Sequence, residues 1–114
     1  PDEFLEKIKR ILKPNGLLIL TTPNLASLGR RLLLLLGKNP FIEISKYEKV
    51  NGFPPVGHIR YYQKDSLSKI LQYHGFCVEE IATDGLYLGT VKSIWLAKLF
   101  PTLGWRFIIL ARKK

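Results

Sequence analysis

The chain has 114 residues, and its 18 Lys or Arg against 9 Asp or Glu give a formal net charge of +9. A hydrophobic content of 46% excludes a disordered tail and is enough for one domain with a core. One cysteine excludes an internal disulfide, and one cysteine with two histidines argues against a structural zinc site. No apolar run is long enough to span a bilayer. The acidic start Pro1-Asp2-Glu3 does not resemble a signal peptide, so we expect a single cytoplasmic domain over residues 1–114.

The first residues predict a helix, a tight turn and a strand. Apolar residues recur at helical spacing from Phe4 to Leu12, and Pro14-Asn15-Gly16 is a turn signal. The apolar run that opens the predicted strand 17–22 indicates a strand buried on both faces, which is typical of a parallel sheet. Pro23-Asn24 ends this strand, and ligands of open α/β sheets bind at such carboxyl ends.

The middle of the chain predicts a leucine-rich helix followed by a long loop. Residues 25–37 have leucines at helical spacing, with Arg30 and Arg31 on the opposite face and Gly37 as a C-cap. Such a helix is either deeply covered or lies against a partner or a membrane surface. Residues 38–62 are rich in Pro and Gly and predict a long loop or lid.

The remaining residues predict two further helices and two further strands. A helix begins near Lys64 and ends at Gly75, a strand covers 76–82, a second helix covers 86–100, and a final strand covers 105–111. Glu79 and Glu80 suggest an edge position for strand 76–82. We expect several side chains to be core residues rather than reactive groups: His74, Cys77, Trp95, Phe100, Trp105 and Phe107.

Four blocks in order resemble class I S-adenosylmethionine-dependent methyltransferases of a small-molecule branch. The blocks are the turn and strand start at 11–19, the strand end Thr22-Pro23-Asn24, the segment 57–62 with sequence GHIRYY, and the helix end Leu67–Phe76. The resemblance covers most of residues 1–82, and the strand 105–111 fits the family's last strand.

The resemblance implies an α/β fold, which here would be a partial Rossmann-like methyltransferase fold. About three strands, 17–22, 76–82 and 105–111, are expected with packed helices, and the last strand would lie antiparallel between the other two. The outer edge of strand 17–22 would then be unpaired, which could allow a homodimer through that edge.

The resemblance also implies a cofactor and a reaction. An acceptor nucleophile would attack the sulfonium methyl of S-adenosylmethionine while the protein positions both partners and excludes water. The family grips this cofactor with a glycine-rich turn after its first strand and an acid after its second. The sequence contains no G-x-G-x-G and matches the family's C-terminal half, so we expect little or no cofactor binding by this chain alone.

The resemblance places acceptor-binding and catalytic candidates in two blocks. Thr22-Pro23-Asn24 would line the acceptor side of the pocket, although a strand terminator with a helix cap explains the same residues. His58 could deprotonate an acceptor hydroxyl, or it could be a structural loop histidine. Arg60 could hold an anionic group of the substrate, or form a surface pair. Tyr61 would lie on the same substrate side, and Tyr61 and Tyr62 more readily pack a lid than take part in chemistry.

The partner expected from the resemblance is a small-molecule or lipid-like methyl acceptor. A rival interpretation is a non-enzymatic binding or membrane-surface module that uses the Leu32–Leu36 run and the basic aromatic segment 86–114. Nucleic-acid binding has only the net charge in its favour and is not expected.

Overall fold

The computed structural model describes residues 1–40, 61–88 and 90–114. The predicted loop or lid at 38–62, together with His58 and Arg60, therefore lies largely outside the described residues. The elements in chain order are α1 Asp2–Ile11, β1 Leu17–Pro23, α2 Leu28–Leu35, α3 Lys64–Tyr73, β2 Phe76–Thr83, β3 Leu86–Leu88, β4 Val91–Ser93, α4 Ile94–Leu99, a 3-10 turn Pro101–Leu103 and β5 Arg106–Lys113.

The main sheet has three strands in the order β1-β5-β2. Both outer strands pair antiparallel with β5, with Ile19 and Glu80 each opposite Leu110. Because β1 and β2 are both antiparallel to β5, they run in the same direction and their carboxyl ends share one edge of the sheet. The predicted α/β class and the central antiparallel position of the last strand are confirmed.

One face of this sheet carries the core. Helices α1 and α3 cover it, and the buried side chains on the two helices fall at the helical spacing seen in the sequence. Burying each large aliphatic side chain contributes roughly 1.5–3 kcal/mol, so this layer is the main source of stability. The buried cluster consists of Leu5, Leu18, Leu67, Leu71, Phe76, Phe107, Ile109 and Ala111.

The opposite face of the sheet is exposed in the described residues. Leu17 is about half exposed and Ile19 is 68% exposed, so the prediction of a first strand buried on both faces is wrong. Cys77 is exposed as well, which corrects its predicted core position. It lies opposite Arg112, which in turn lies opposite Leu17, so all three belong to the face that α1 and α3 do not cover.

The segment 86–100 is not one helix as predicted. Strands β3 and β4 form an antiparallel pair with Leu88 opposite Val91, and helix α4 begins only after them, at Ile94. The spacing of the apolar residues fits a helix, but strands of three residues are too short to show a period of two. Helix α4 buries only Ala97, so Trp95 and Phe100 are exposed rather than in the core.

Helix ends follow local chemistry. Asn15 (φ 62°) and Gly75 (φ 80°) adopt the positive φ that their turns require, as the turn signals predict. Helix α2 is shorter than predicted because Ser27, and not Asn24, caps it: Ser27 Oγ accepts from the Arg30 amide. His74 is buried as expected, with Nε2 2.8 Å from Asp2 Oδ1.

Across the described ranges, each helix is too short or too polar to cross a membrane.

Candidate functional site

The shared carboxyl edge of β1 and β2 is organised by Asn24. Its side chain is 1% exposed, and Nδ2 donates to the carbonyl oxygens of Thr102 and Gly104, each at 2.8 Å. Asn24 Oδ1 accepts from the Ala26 amide at 3.0 Å. Gly104 lies so close to Thr83 that a Cβ there would overlap the threonine side chain. The Asn24 side chain therefore joins the end of β1 to the chain that leads into β5.

Arg30 is the second organising residue of this edge. Its side chain is also 1% exposed, and Nη1 donates to the carbonyl oxygens of Asn24 (3.0 Å) and Trp105 (3.1 Å). Its guanidinium carbon lies 3.9 Å from the centre of the Trp105 ring and 5.3 Å from that of Tyr61. The positive charge is thus stabilised by carbonyl dipoles and aromatic faces. Arg30 fixes α2 against β5 and against the segment that begins at Tyr61.

The residues that lead into α3 are attached to the same edge. The Leu25 amide donates to the Tyr62 carbonyl oxygen at 2.9 Å, and Asn24 forms a parallel bridge with Tyr62. Two of the four sequence blocks, Thr22-Pro23-Asn24 and the end of 57–62, are therefore brought together. Within them Thr22 and Tyr61 are half-buried and Pro23 is buried.

A cleft of about 250 Å³ opens beside Asn24. Arg31 and Lys64 supply positive charge, Asp65 supplies a carboxylate, and Ala26 leaves space between them. Arg31 Nε donates to the Ala26 carbonyl oxygen at 2.6 Å, which holds its side chain along one wall. Such a lining can hold a polar small molecule by hydrogen bonds and charge. The full lining is Asn24, Ala26, Arg31, Gln63, Lys64, Asp65, Thr102 and Phe107.

The geometry gives the predicted site residues different roles. Asn24 lines the cleft, but its side-chain Nδ2 and Oδ1 atoms already form hydrogen bonds with the backbone. The side chain of Asn24 therefore shapes the site more than it contacts a ligand. In the sheet, Thr22 of β1 lies opposite Phe107 of β5, and Phe107 is a residue that lines the cleft.

The model of the family described as "Methyltransferase domain" matches residues 1–81. The chain belongs to this family. The matched residues include Asn24, Arg30 and the first turn of α3, so most of the cleft lies within the methyltransferase match. No curated protein matches the chain.

Methyltransferase domains of this family generally use S-adenosylmethionine. A site for it needs a glycine-rich turn whose backbone approaches the ligand and a carboxylate for the ribose hydroxyls. The sequence has no G-x-G-x-G. Asp84, at the end of β2, accepts hydrogen bonds from the Arg106 amide and Nε. The described residues do not fit a complete site for the cofactor.

Metal binding has no candidate in the described residues: no three His, Cys, Asp or Glu side chains are grouped to hold an ion.

Sequence reasoning missed Arg30, which it placed on the face of α2 opposite the leucines. The available signal was Ser27, three residues earlier: with Ser27 as the N-cap, Arg30 falls in the first turn and its side chain reaches back toward Asn24.

Proposed function

We propose that this chain is the C-terminal, acceptor-side part of an S-adenosylmethionine-dependent methyltransferase that acts on a small-molecule or lipid-like acceptor. The observation that carries the proposal is the position of the Asn24 cleft. It lies at the carboxyl end of β1, in a sheet whose central strand β5 is antiparallel to both neighbours. Ligands of α/β sheets bind at such edges.

Assignment to the C-terminal part rests on two observations that agree. The strand order β1-β5-β2 matches the end of the fold that the resemblance implies. The sequence also lacks the glycine-rich turn that the family uses to grip its cofactor. In this account the cofactor-binding residues belong to another half-domain, of about a hundred residues.

The acceptor would lie in the cleft, between the end of β1 and the start of α3. Arg31 and Lys64 would hold an anionic or strongly polar group of the acceptor, while Arg30 and Asn24 keep the walls in place. From the resemblance, Arg60 and Tyr61 would extend the acceptor wall and His58 would take a proton from an acceptor hydroxyl. These last three roles are inferred from the resemblance of segment 57–62 to the family motif.

The test is to sequence the coding region upstream of residue 1 and to express the longer product. We expect a strand followed by a glycine-rich turn about a hundred residues upstream, and one S-adenosylmethionine bound per chain in a radioligand filter assay. A longer product that contains no such turn and binds no cofactor would contradict the proposal.

Variants in the cleft distinguish the proposed methyltransferase from the rival interpretation of a non-enzymatic module. In the longer product, Ala26→Phe should fill the cleft and weaken binding of the acceptor without weakening binding of the cofactor. As the matched control, Ala82→Phe adds the same ring to a half-buried position of the sheet away from the cleft. A module without methyl transfer would show no difference in transfer of labelled methyl between these variants.

A further inference from the structure

Exposed apolar side chains are concentrated on one group of elements. Helices α2 and α4 both contact β3, and the approach of α2 is close because Gly29 faces the Tyr87 carbonyl oxygen. We call the exposed side chains of α2, β3, β4 and α4, with those that directly follow the helices, the α2–α4 surface. Its large apolar members are Leu32, Leu34, Leu35, Leu36, Leu88, Val91, Ile94, Trp95, Leu96, Leu99 and Phe100.

The charges of this surface have a single sign. Residues 25–40 and 85–114 contain no Asp or Glu. Four exposed cations, Arg31, Lys38, Lys92 and Lys98, lie on or beside its elements. The carboxylates of the described residues lie elsewhere, on α1, at the start of α3, and on β2 and the turn that follows it.

We propose that the α2–α4 surface docks onto an anionic lipid bilayer. Exposed leucines together with Trp and Phe favour the boundary between headgroups and acyl chains, where an aromatic ring has both apolar and polar surroundings. Lys and Arg beside such side chains are attracted by anionic lipid headgroups. Among the described residues, this surface combines an apolar patch with cations and has no carboxylate, which is the complement of such a membrane surface.

A second copy of the chain fits this surface less well. In a symmetric dimer the same patch faces itself, so Lys92 and Lys98 of one copy would approach like charges of the other, with no carboxylate among the described residues of either patch. A bilayer accepts the apolar side chains and supplies the counter-charge.

This inference does not depend on methyl transfer. Binding to vesicles needs neither cofactor nor acceptor, so a failure to bind vesicles would not contradict the proposed function. In the same way, an absence of methyl transfer would not contradict membrane docking. Where both are correct, the membrane would bring the chain close to a lipid-like acceptor.

The test is co-sedimentation of the 114-residue chain with vesicles of phosphatidylcholine alone and of phosphatidylcholine mixed with phosphatidylglycerol. We expect binding to the mixed vesicles that weakens as salt is raised, and little binding to the neutral ones. Trp95, which is 73% exposed, should show a blue shift of its fluorescence on binding.

Two pairs of variants locate the surface. Trp95→Glu should lower vesicle partition about tenfold, whereas Tyr73→Glu, at an aromatic residue on α3 that is 85% exposed, should not. Lys92→Glu with Lys98→Glu should also lower it about tenfold or more. Lys7→Glu with Lys13→Glu, which makes the same change in net charge on and just after α1, should have a much smaller effect. Circular dichroism checks that each variant is folded.

Three results would overturn the proposal. The wild-type chain could fail to bind mixed vesicles. The Lys7 and Lys13 double variant could lower binding as much as the Lys92 and Lys98 double variant, which would indicate an effect of net charge alone. Alternatively, sedimentation velocity could show a lipid-free dimer that Trp95→Glu dissociates, which would make a second copy the occupant.

Discussion

The guanidinium carbon of Arg30 lies 3.9 Å from the centre of the Trp105 ring, which stacks a permanent charge on an aromatic face inside the protein. The two residues are 75 positions apart, and the same guanidinium donates to the Trp105 carbonyl oxygen. The contact fixes α2 to the start of β5 and thereby the walls of the Asn24 cleft.

The first prediction concerns that contact. Arg30→Met should lower the free energy of unfolding by about 2–4 kcal/mol, because it removes a buried cation–π contact and the hydrogen bonds that Arg30 donates to the carbonyl oxygens of Asn24 and Trp105. Arg31→Met, at an exposed neighbour, should cost less than about 1 kcal/mol. Urea unfolding measures both variants, and equal losses would contradict a special role for Arg30.

The second prediction concerns the hydrogen-bonding direction of Asn24. Asn24→Asp should destabilise the protein more than Asn24→Ala, because a carboxylate would place acceptors against the carbonyl oxygens of Thr102 and Gly104. We expect about 1–3 kcal/mol for Ala and more for Asp in thermal unfolding. Asn15→Asp is the matched control, since Asn15 is exposed and aspartate tolerates its positive φ. If Asn24→Asp were the milder of the two changes, the assignment of Asn24 Nδ2 as the donor would be wrong.

The third prediction is a pH dependence. The hydrogen bond from His74 lowers the pKa of the Asp2 carboxyl below its ordinary value of 3.8. Because the folded pKa is the lower one, the pair stabilises the protein above about pH 3.8, and this contribution is lost as the pH falls through the folded pKa. The difference in stability between wild type and Asp2→Asn should therefore be present at neutral pH and shrink in strong acid.

Glu3→Gln is the control for this pH dependence, because Glu3 is an exposed acid of the same helix. Chemical unfolding across the acid range gives the comparison. A difference for Asp2→Asn that is as large in strong acid as at neutral pH would show that the pair does not act through ionisation.

The fourth prediction concerns the outer edge of β1. In the described sheet β1 pairs only with β5, and Leu17 and Ile19 are exposed beside the free edge. Exposed apolar edge strands pair with other chains, so we expect concentration-dependent dimers in sedimentation velocity. Ile19→Lys should shift the chain toward monomer, whereas Ile11→Lys on α1 should not. A wild-type chain that stays monomeric at high concentration would refute this mode of association.

Much of the fold was predictable because its elements are long and locally consistent. Residues only a few positions apart determine the turn at Asn15, the helix cap at Gly75 and the buried face of α3 with Leu67 and Leu71. The hairpin at 86–93 could not be predicted, because strands of three residues carry almost no periodicity and their pairing depends on contact with α2.

The site was predictable only in part. The strand end at Thr22-Pro23-Asn24 was predictable because Pro-Asn is a local stop signal, and the structure ends β1 at Pro23, next to the cleft that Asn24 lines. Arg30 was missed because its burial depends on Trp105 and Tyr61, which are remote in sequence. The exposure of Cys77 was missed because the strand pattern does not tell which face of the sheet the helices cover.

In our proposal this chain carries the acceptor side of a methyltransferase and not the residues that grip the cofactor. Isothermal titration of S-adenosylmethionine into the 114-residue chain measures whether the chain alone binds the cofactor. We expect no measurable heat of binding at millimolar cofactor, which corresponds to less than about 4 kcal/mol of binding free energy. Stoichiometric binding at micromolar concentration would contradict it.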